Sequence, residues 1–114
     1  MDLSEQDDVV ADVLMDMART ETLPRTERLA GALVAAIKAA DIRMHRVPHQ
    51  TAGFSVLKSP DIPSVLLELG FLSSERDHLR LTDPKWRGRL AEAIRQALIT
   101  WGEEEDALRA LATP

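Results

Sequence analysis

Apolar positions recur along this chain with a helical period over its first third and last third, and run almost continuously in between. Val10, Val13, Leu14 and Met17 fall at three- and four-residue intervals. They follow Ser4-Glu5-Gln6-Asp7, which has the spacing of a capping box, and so predict a first helix over about residues 5–19. Asp7 and Asp8 favour its positive N-terminal end. After a break at Thr22-Leu23-Pro24, Leu29, Leu33, Ile37 and Ala40 predict a second, well-buried helix over about 25–40. Asp41 to Thr51 contains Pro48 and no period, and reads as a connection.

The middle of the chain carries a different pattern. Phe54-Ser55-Val56-Leu57 is a short β-prone run, stopped by the two prolines of Ser59-Pro60-Asp61-Ile62-Pro63. Ser64 to Leu72 is nearly continuous in apolar residues, the pattern of a strand covered on both faces, and Glu68 interrupts it. Ser74-Glu75-Arg76-Asp77 again has capping-box spacing and opens a short helix to about Leu81. Asp83-Pro84 then supplies a cap and a first-turn proline for a long last helix. Its apolar face is Trp86, Leu90, Ala93, Ile94, Ala97, Leu98 and Trp101, with Arg87, Glu92 and Arg95 opposite. From Glu103 a charge run leads into a weakly helical tail that should fray. The organisation expected is one body over residues 1–102 and an acidic tail over 103–114. Helices alternating with two short strands predict an α/β layer arrangement, with too few strands for a complete sheet and hence an incomplete domain.

Composition narrows the partners. With 45% hydrophobic and 29% charged residues in 114, the chain is that of a folded body with one core. A net charge of −5 with scattered basic residues excludes a phosphate-backbone partner, so no nucleic acid is expected. The absence of cysteine removes disulfides and thiolate metal sites. No run approaches the roughly 20 apolar residues of a membrane span. Met1-Asp2-Leu3-Ser4-Glu5 lacks the basic and apolar regions of an export signal, so the chain as written is expected to stay in the cytoplasm.

Glu68 is the most informative position, because a carboxylate among Val65, Leu66, Leu67, Leu69 and Phe71 is there either as an edge-strand residue facing solvent or as a group held for chemistry. His45 and His49 are four apart, but Pro48 between them disfavours the helix that would pair them on a metal. His78 falls on a surface helix, and turn chemistry accounts for Lys58, Ser59 and Asp61. Asp61 has no placement that makes it a second catalytic acid for Glu68. Trp86 and Trp101 lie on the apolar stripe and read as core before sugar-stacking residues.

The stretch from Val56-Leu57-Lys58-Ser59-Pro60 through Ser64-Val65-Leu66-Leu67-Glu68-Leu69-Gly70-Phe71-Leu72-Ser73 resembles the C-terminal signature of the zinc-dependent N-acetylmuramoyl-L-alanine amidases. The resemblance extends upstream to Arg28-Leu29-Ala30 and downstream through Leu81, Pro84, Trp86 and Leu90 to Ile94, covering roughly residues 9–101. It implies a peptidoglycan hydrolase of zinc-amidase-type fold, a sheet flanked by helices, that cleaves the amide between N-acetylmuramic acid and L-alanine. It also implies that the carboxylate at Glu68 assists the attack of a zinc-bound water. Ser74 stands where relatives commonly carry asparagine, and still caps the next helix. The family's zinc ligands, two histidines and a glutamate, lie upstream of the matching region. The metal set is therefore expected to be absent here, and the chain inactive alone. Further implications are a periplasmic location for the full-length protein, peptidoglycan as partner, and a protein activator that displaces a blocking helical insertion, of which residues 2–8 would be a remnant. The alternative is a non-enzymatic regulatory or cell-wall-binding module that retains the fold.

Overall fold

The computed structural model describes residues 3–51 and 59–112. Among these residues three helices follow in order: α1 over Leu3–Ala39, α2 over Glu75–Leu81 and α3 over Pro84–Ala112. The two helices predicted for the first forty residues are one, because Pro24 sits inside α1 rather than ending it. A proline removes one main-chain hydrogen bond, here the one that residue 24 would give to the Thr20 carbonyl, and its ring crowds that carbonyl. Hydroxyls serve carbonyls on either side of the gap, Thr20 Oγ1 donating to the Asp16 carbonyl (2.9 Å) and Thr26 Oγ1 to the Thr22 carbonyl (3.3 Å).

The second half of α1 packs on α3. Leu29, Leu33 and Ala97 form one buried cluster, with Val65 and Trp101 against it. Ile37, Ile42, Leu90 and Ala93 form another, with Met44 and Trp86 against it, and Ile94 touches both. Small side chains such as Ala93 and Ala97 at the crossing let the helix axes approach, so the larger side chains interlock around them. Both tryptophans are thus core-packing residues, as their place on the stripe predicts.

The end of α1 is a Schellman closure. Ile42 N–H donates to the Ile37 carbonyl (3.3 Å) and Asp41 N–H to the Lys38 carbonyl (3.0 Å), with Asp41 at φ 58°. The hydrophobic pair that accompanies such a motif is present, since Ile37 and Ile42 share a core cluster. Arg89 Nη2 donates to the Ala40 carbonyl at 2.8 Å, tying this end to α3.

The helix caps after residue 73 follow the predicted residues. Ser74 Oγ accepts from Asp77 N–H (3.3 Å), and Asp83 Oδ1 accepts from Lys85 N–H (3.0 Å) at the start of α3. At its other end α3 departs from expectation, running on through the acidic stretch to Ala112 and burying Glu105.

The predicted α/β sheet is overturned, since among the described residues there is no strand and the architecture is helical. The first expected strand, Phe54–Leu57, lies outside the described residues. The second, Ser64 to Leu72, carries the apolar content of a buried strand, yet Leu66, Leu67, Leu69, Phe71 and Leu72 are all exposed. A strand is defined by a neighbouring backbone that takes its N–H and C=O groups, and none among the described residues pairs with this segment.

Candidate functional site

Glu68 lies on the irregular segment between Pro63 and Leu72, and its side chain is exposed. The segment is fixed on both sides of it. Upstream, half-buried Val65 packs against the Leu29, Leu33 and Ala97 cluster. Downstream, Phe71 N–H donates to Asp77 Oδ2 at 2.9 Å, while Gly70 adopts φ 157°, where a Cβ would lie 3.1 Å from Asp77 Cβ. Glycine at 70 therefore permits the chain to turn closely over α2. Glu68 is held three residues beyond one anchor and three before the other.

The other candidate residues do not converge on it. Ser59 Oγ donates to Asp61 Oδ1 at 3.2 Å, local turn chemistry as the sequence suggests. His49 Nε2 stands 3.6 Å from Glu27 Oε2, whereas His45 Nδ1 accepts from Val47 N–H at 3.0 Å. The two histidines thus serve separate local partners. His78 is exposed on α2. Lys58 lies outside the described residues. Among the described residues, no group of three or more His, Cys, Asp or Glu is arranged to hold a metal ion.

A cavity of about 380 Å³ opens beside this segment, between α1 at Thr20, Leu23 and Thr26 and the chain at Gln50, Ile62 and Val65. Glu68 is not in its wall. The carboxylate and the cavity are adjacent along the chain, separated by Leu66 and Leu67.

A buried ionic cluster was not foreseen from sequence. Glu105 on α3 accepts from Arg25 Nε (3.0 Å) and Arg28 Nε (2.7 Å) on α1. Trp101 Nε1 donates to the Arg25 carbonyl at 3.0 Å. The Arg28 hydrogen bond, and then that from Arg25, hold the Glu105 carboxyl below its ordinary range against the opposing effect of burial. A signal was available, since Ala97, Trp101 and Glu105 are spaced by four and share a helix face.

Comparison with known proteins covers the segment that carries Glu68. The family model described as N-acetylmuramoyl-L-alanine amidase matches residues 9–100. The chain is 31% identical over 98 residues to N-acetylmuramoyl-L-alanine amidase AmiA of Salmonella typhimurium, a match covering 86% of this chain and 34% of that protein. It is 30% identical over 98 residues, with the same coverage, to AmiA of Escherichia coli, and 36% identical over 81 residues to AmiC of Neisseria meningitidis serogroup B, covering 71% of this chain and 19% of that protein. No solved structure matches it. A match over most of the chain shows its family: the chain belongs to the N-acetylmuramoyl-L-alanine amidase family. It spans about a third of the length of the AmiA relatives.

Proposed function

We propose that this chain supplies the C-terminal part of the catalytic domain of a peptidoglycan amidase, and that Glu68 is its catalytic carboxylate. The substrate is the amide between N-acetylmuramic acid and L-alanine. The observation that carries the reading is Glu68 itself, an exposed carboxylate within the family-matched span, on a segment anchored on both sides by Val65 and by the Phe71 to Asp77 hydrogen bond.

Amide hydrolysis adds water oxygen to the carbonyl carbon and releases an amine, so one proton must leave the water and one must reach the nitrogen. A carboxylate beside the scissile bond does both, accepting the first proton and delivering it to the leaving amine of L-alanine. The family's zinc would polarise the carbonyl and activate the water. The described residues offer no ligand set for it. What this chain contributes is therefore confined to Glu68 and the segment that holds it. Peptidoglycan as partner places the full-length protein in the periplasm. A protein activator fits the exposed first half of α1, whose Val9, Val10, Val13, Leu14 and Met17 all face solvent.

The test is amide cleavage on purified peptidoglycan by this chain and by a version extended upstream in its reading frame, with zinc content measured in parallel. The expected result is cleavage by the extended protein alone, abolished by Glu68→Gln with zinc retained. An extended protein that is metal-free and inert would instead identify a non-enzymatic regulatory or cell-wall-binding module.

A further inference from the structure

The segment that carries Glu68 is held at few points. Leu66, Leu67, Leu69, Phe71 and Leu72 are exposed, and among the described residues no backbone pairs with it. Its upstream anchor, Val65, is an apolar contact, and such contacts are non-directional and tolerate sliding. A hydrogen bond fixes distance and direction together. Downstream, Phe71 N–H donates to Asp77 Oδ2 at 2.9 Å. Between Glu68 and that bond lie Leu69 and Gly70, and glycine permits the φ of 157° without enforcing it.

The Asp77 carboxylate is not used to cap α2. In a capping box the carboxylate three residues into the helix reaches back to the N-cap N–H. Here Ser74 N–H donates instead to the Phe71 carbonyl at 3.0 Å, and the Asp77 carboxylate reaches past it to Phe71 N–H. Both main-chain groups of Phe71 are thereby tied to the start of α2. The Asp77 side chain is itself held: it is only 15% exposed, and its Oδ1 stands 3.8 Å from Arg76 Nε and 3.8 Å from Arg80 Nη1, which leaves Oδ2 for Phe71. Gly70 contributes the space, since a Cβ there would lie 3.1 Å from Asp77 Cβ and 3.3 Å from Oδ2. α2 is in turn joined to α3, Arg87 Nη1 donating to the Leu81 carbonyl at 3.2 Å.

The geometry points to Asp77 as the positioning residue of Glu68: its carboxylate locks the turn at Gly70 and Phe71 onto α2, and so sets where the Glu68 carboxylate stands against the scissile amide. The assignment rests on the catalytic role proposed for Glu68. Asp77 acts through the main chain between Glu68 and Phe71, so its removal misplaces the catalytic carboxylate without removing it. A misplacement of about 1 Å costs on the order of 100-fold in rate.

Two measurements test this. In this chain, amide hydrogen exchange at Phe71 reads the bond directly. Asp77→Ala should speed it about tenfold, the weight of a charge-assisted hydrogen bond, and Asp77→Asn, which keeps an acceptor oxygen, should recover most of the protection. In the zinc-loaded extended protein, with a soluble peptidoglycan fragment as substrate, Asp77→Ala should lower kcat about 10- to 100-fold while KM and zinc content hold. Asp77→Asn should restore kcat to within about threefold of wild type. Leu90→Ala, in the core cluster with Ile37 and Ile42, gives the comparison for a purely structural loss: it should lower Tm and leave kcat per bound zinc unchanged. Accelerated Phe71 exchange with kcat intact in Asp77→Ala overturns the assignment. So does a kcat loss that Asp77→Asn does not recover although Phe71 protection returns, and so does fast Phe71 exchange in wild type. Failure of the underlying reading looks different: Glu68→Gln then cleaves like wild type, or the extended protein does not cleave at all, while Phe71 exchange still responds to Asp77→Ala. That outcome overturns the assignment together with the reading.

Discussion

Glu105 sits between two guanidinium groups with its side chain only 8% exposed, while the side chains of Arg25 and Arg28 are 36% and 31% exposed. The arginines keep contact with water, so the pair interaction is screened on one side. Its value is that of charge-assisted hydrogen bonds rather than of a fully buried pair. Glu105→Gln keeps the shape and loses the charge, and should cost about 1–3 kcal/mol in urea unfolding at neutral pH. The pH dependence has a definite sign. The folded-state pKa of Glu105 is lowered from 4.5 by Arg28 first and Arg25 next, with burial opposing. Its contribution is therefore fully present above that ordinary value and is lost as pH falls through the depressed folded value. Arg28 is raised above its ordinary value, chiefly by the hydrogen bond to Glu105 with Glu104 adding to it, so the arginine stays charged through the acid and neutral range and the pair is lost only as Glu105 takes up a proton. Wild type should lose more stability than Glu105→Gln between about pH 7 and pH 3, and equal losses would exclude the cluster as the source.

Among the elements, the two ends of α1 differ in how well sequence describes them. The closing motif at Ala39 uses Asp41 in the left-handed region, which costs an L-residue more than glycine. Asp41→Gly should therefore raise stability by about 0.5–1 kcal/mol, read as an increase in melting temperature, with the Arg89 bonds to the Ala40 and Asp41 carbonyls intact. The caps at Ser74 and Asp83 were legible because they are local: a side chain reaches a main-chain N–H two or three residues away. Pro24 predicts a break because proline in isolation favours one. Continuity across it depends on Leu29 and Leu33 finding Ala97, which is 70 residues or so further on. α3 runs past its expected end for a related reason. A run of acids resembles a solvated end until one of them meets two arginines from another helix.

For the whole molecule, the long dimension is α1 itself. At about 1.5 Å per residue its 37 residues span roughly 55 Å, close to the 60 Å long axis. Beside the two clusters against α3, the chain exposes a contiguous apolar segment, Leu66, Leu67, Leu69, Phe71 and Leu72, the last at 83%. Exposed apolar sequence of this extent drives association. The isolated chain should sediment as a concentration-dependent mixture. Leu69→Lys combined with Phe71→Lys should return it toward monomer without loss of helical circular dichroism, and a strictly monomeric wild type would exclude the segment as a contact surface.

Determined by sequence alone were the helical segments after residue 25, the caps at Ser74 and Asp83 but not the one at Ser4, which lies inside α1, the core character of both tryptophans, the family and the choice of Glu68 as the residue to test. Each is written in contiguous residues or in a short period, and so survives without knowledge of partners. Decided only by tertiary structure were the continuity of α1 through Pro24, the burial of Glu105 between Arg25 and Arg28, and the unpaired state of Ser64 to Leu72. These depend on what lies alongside: a distant helix can offset a lost hydrogen bond or neutralise an acid, and a strand-like sequence stays irregular where no described backbone pairs with it.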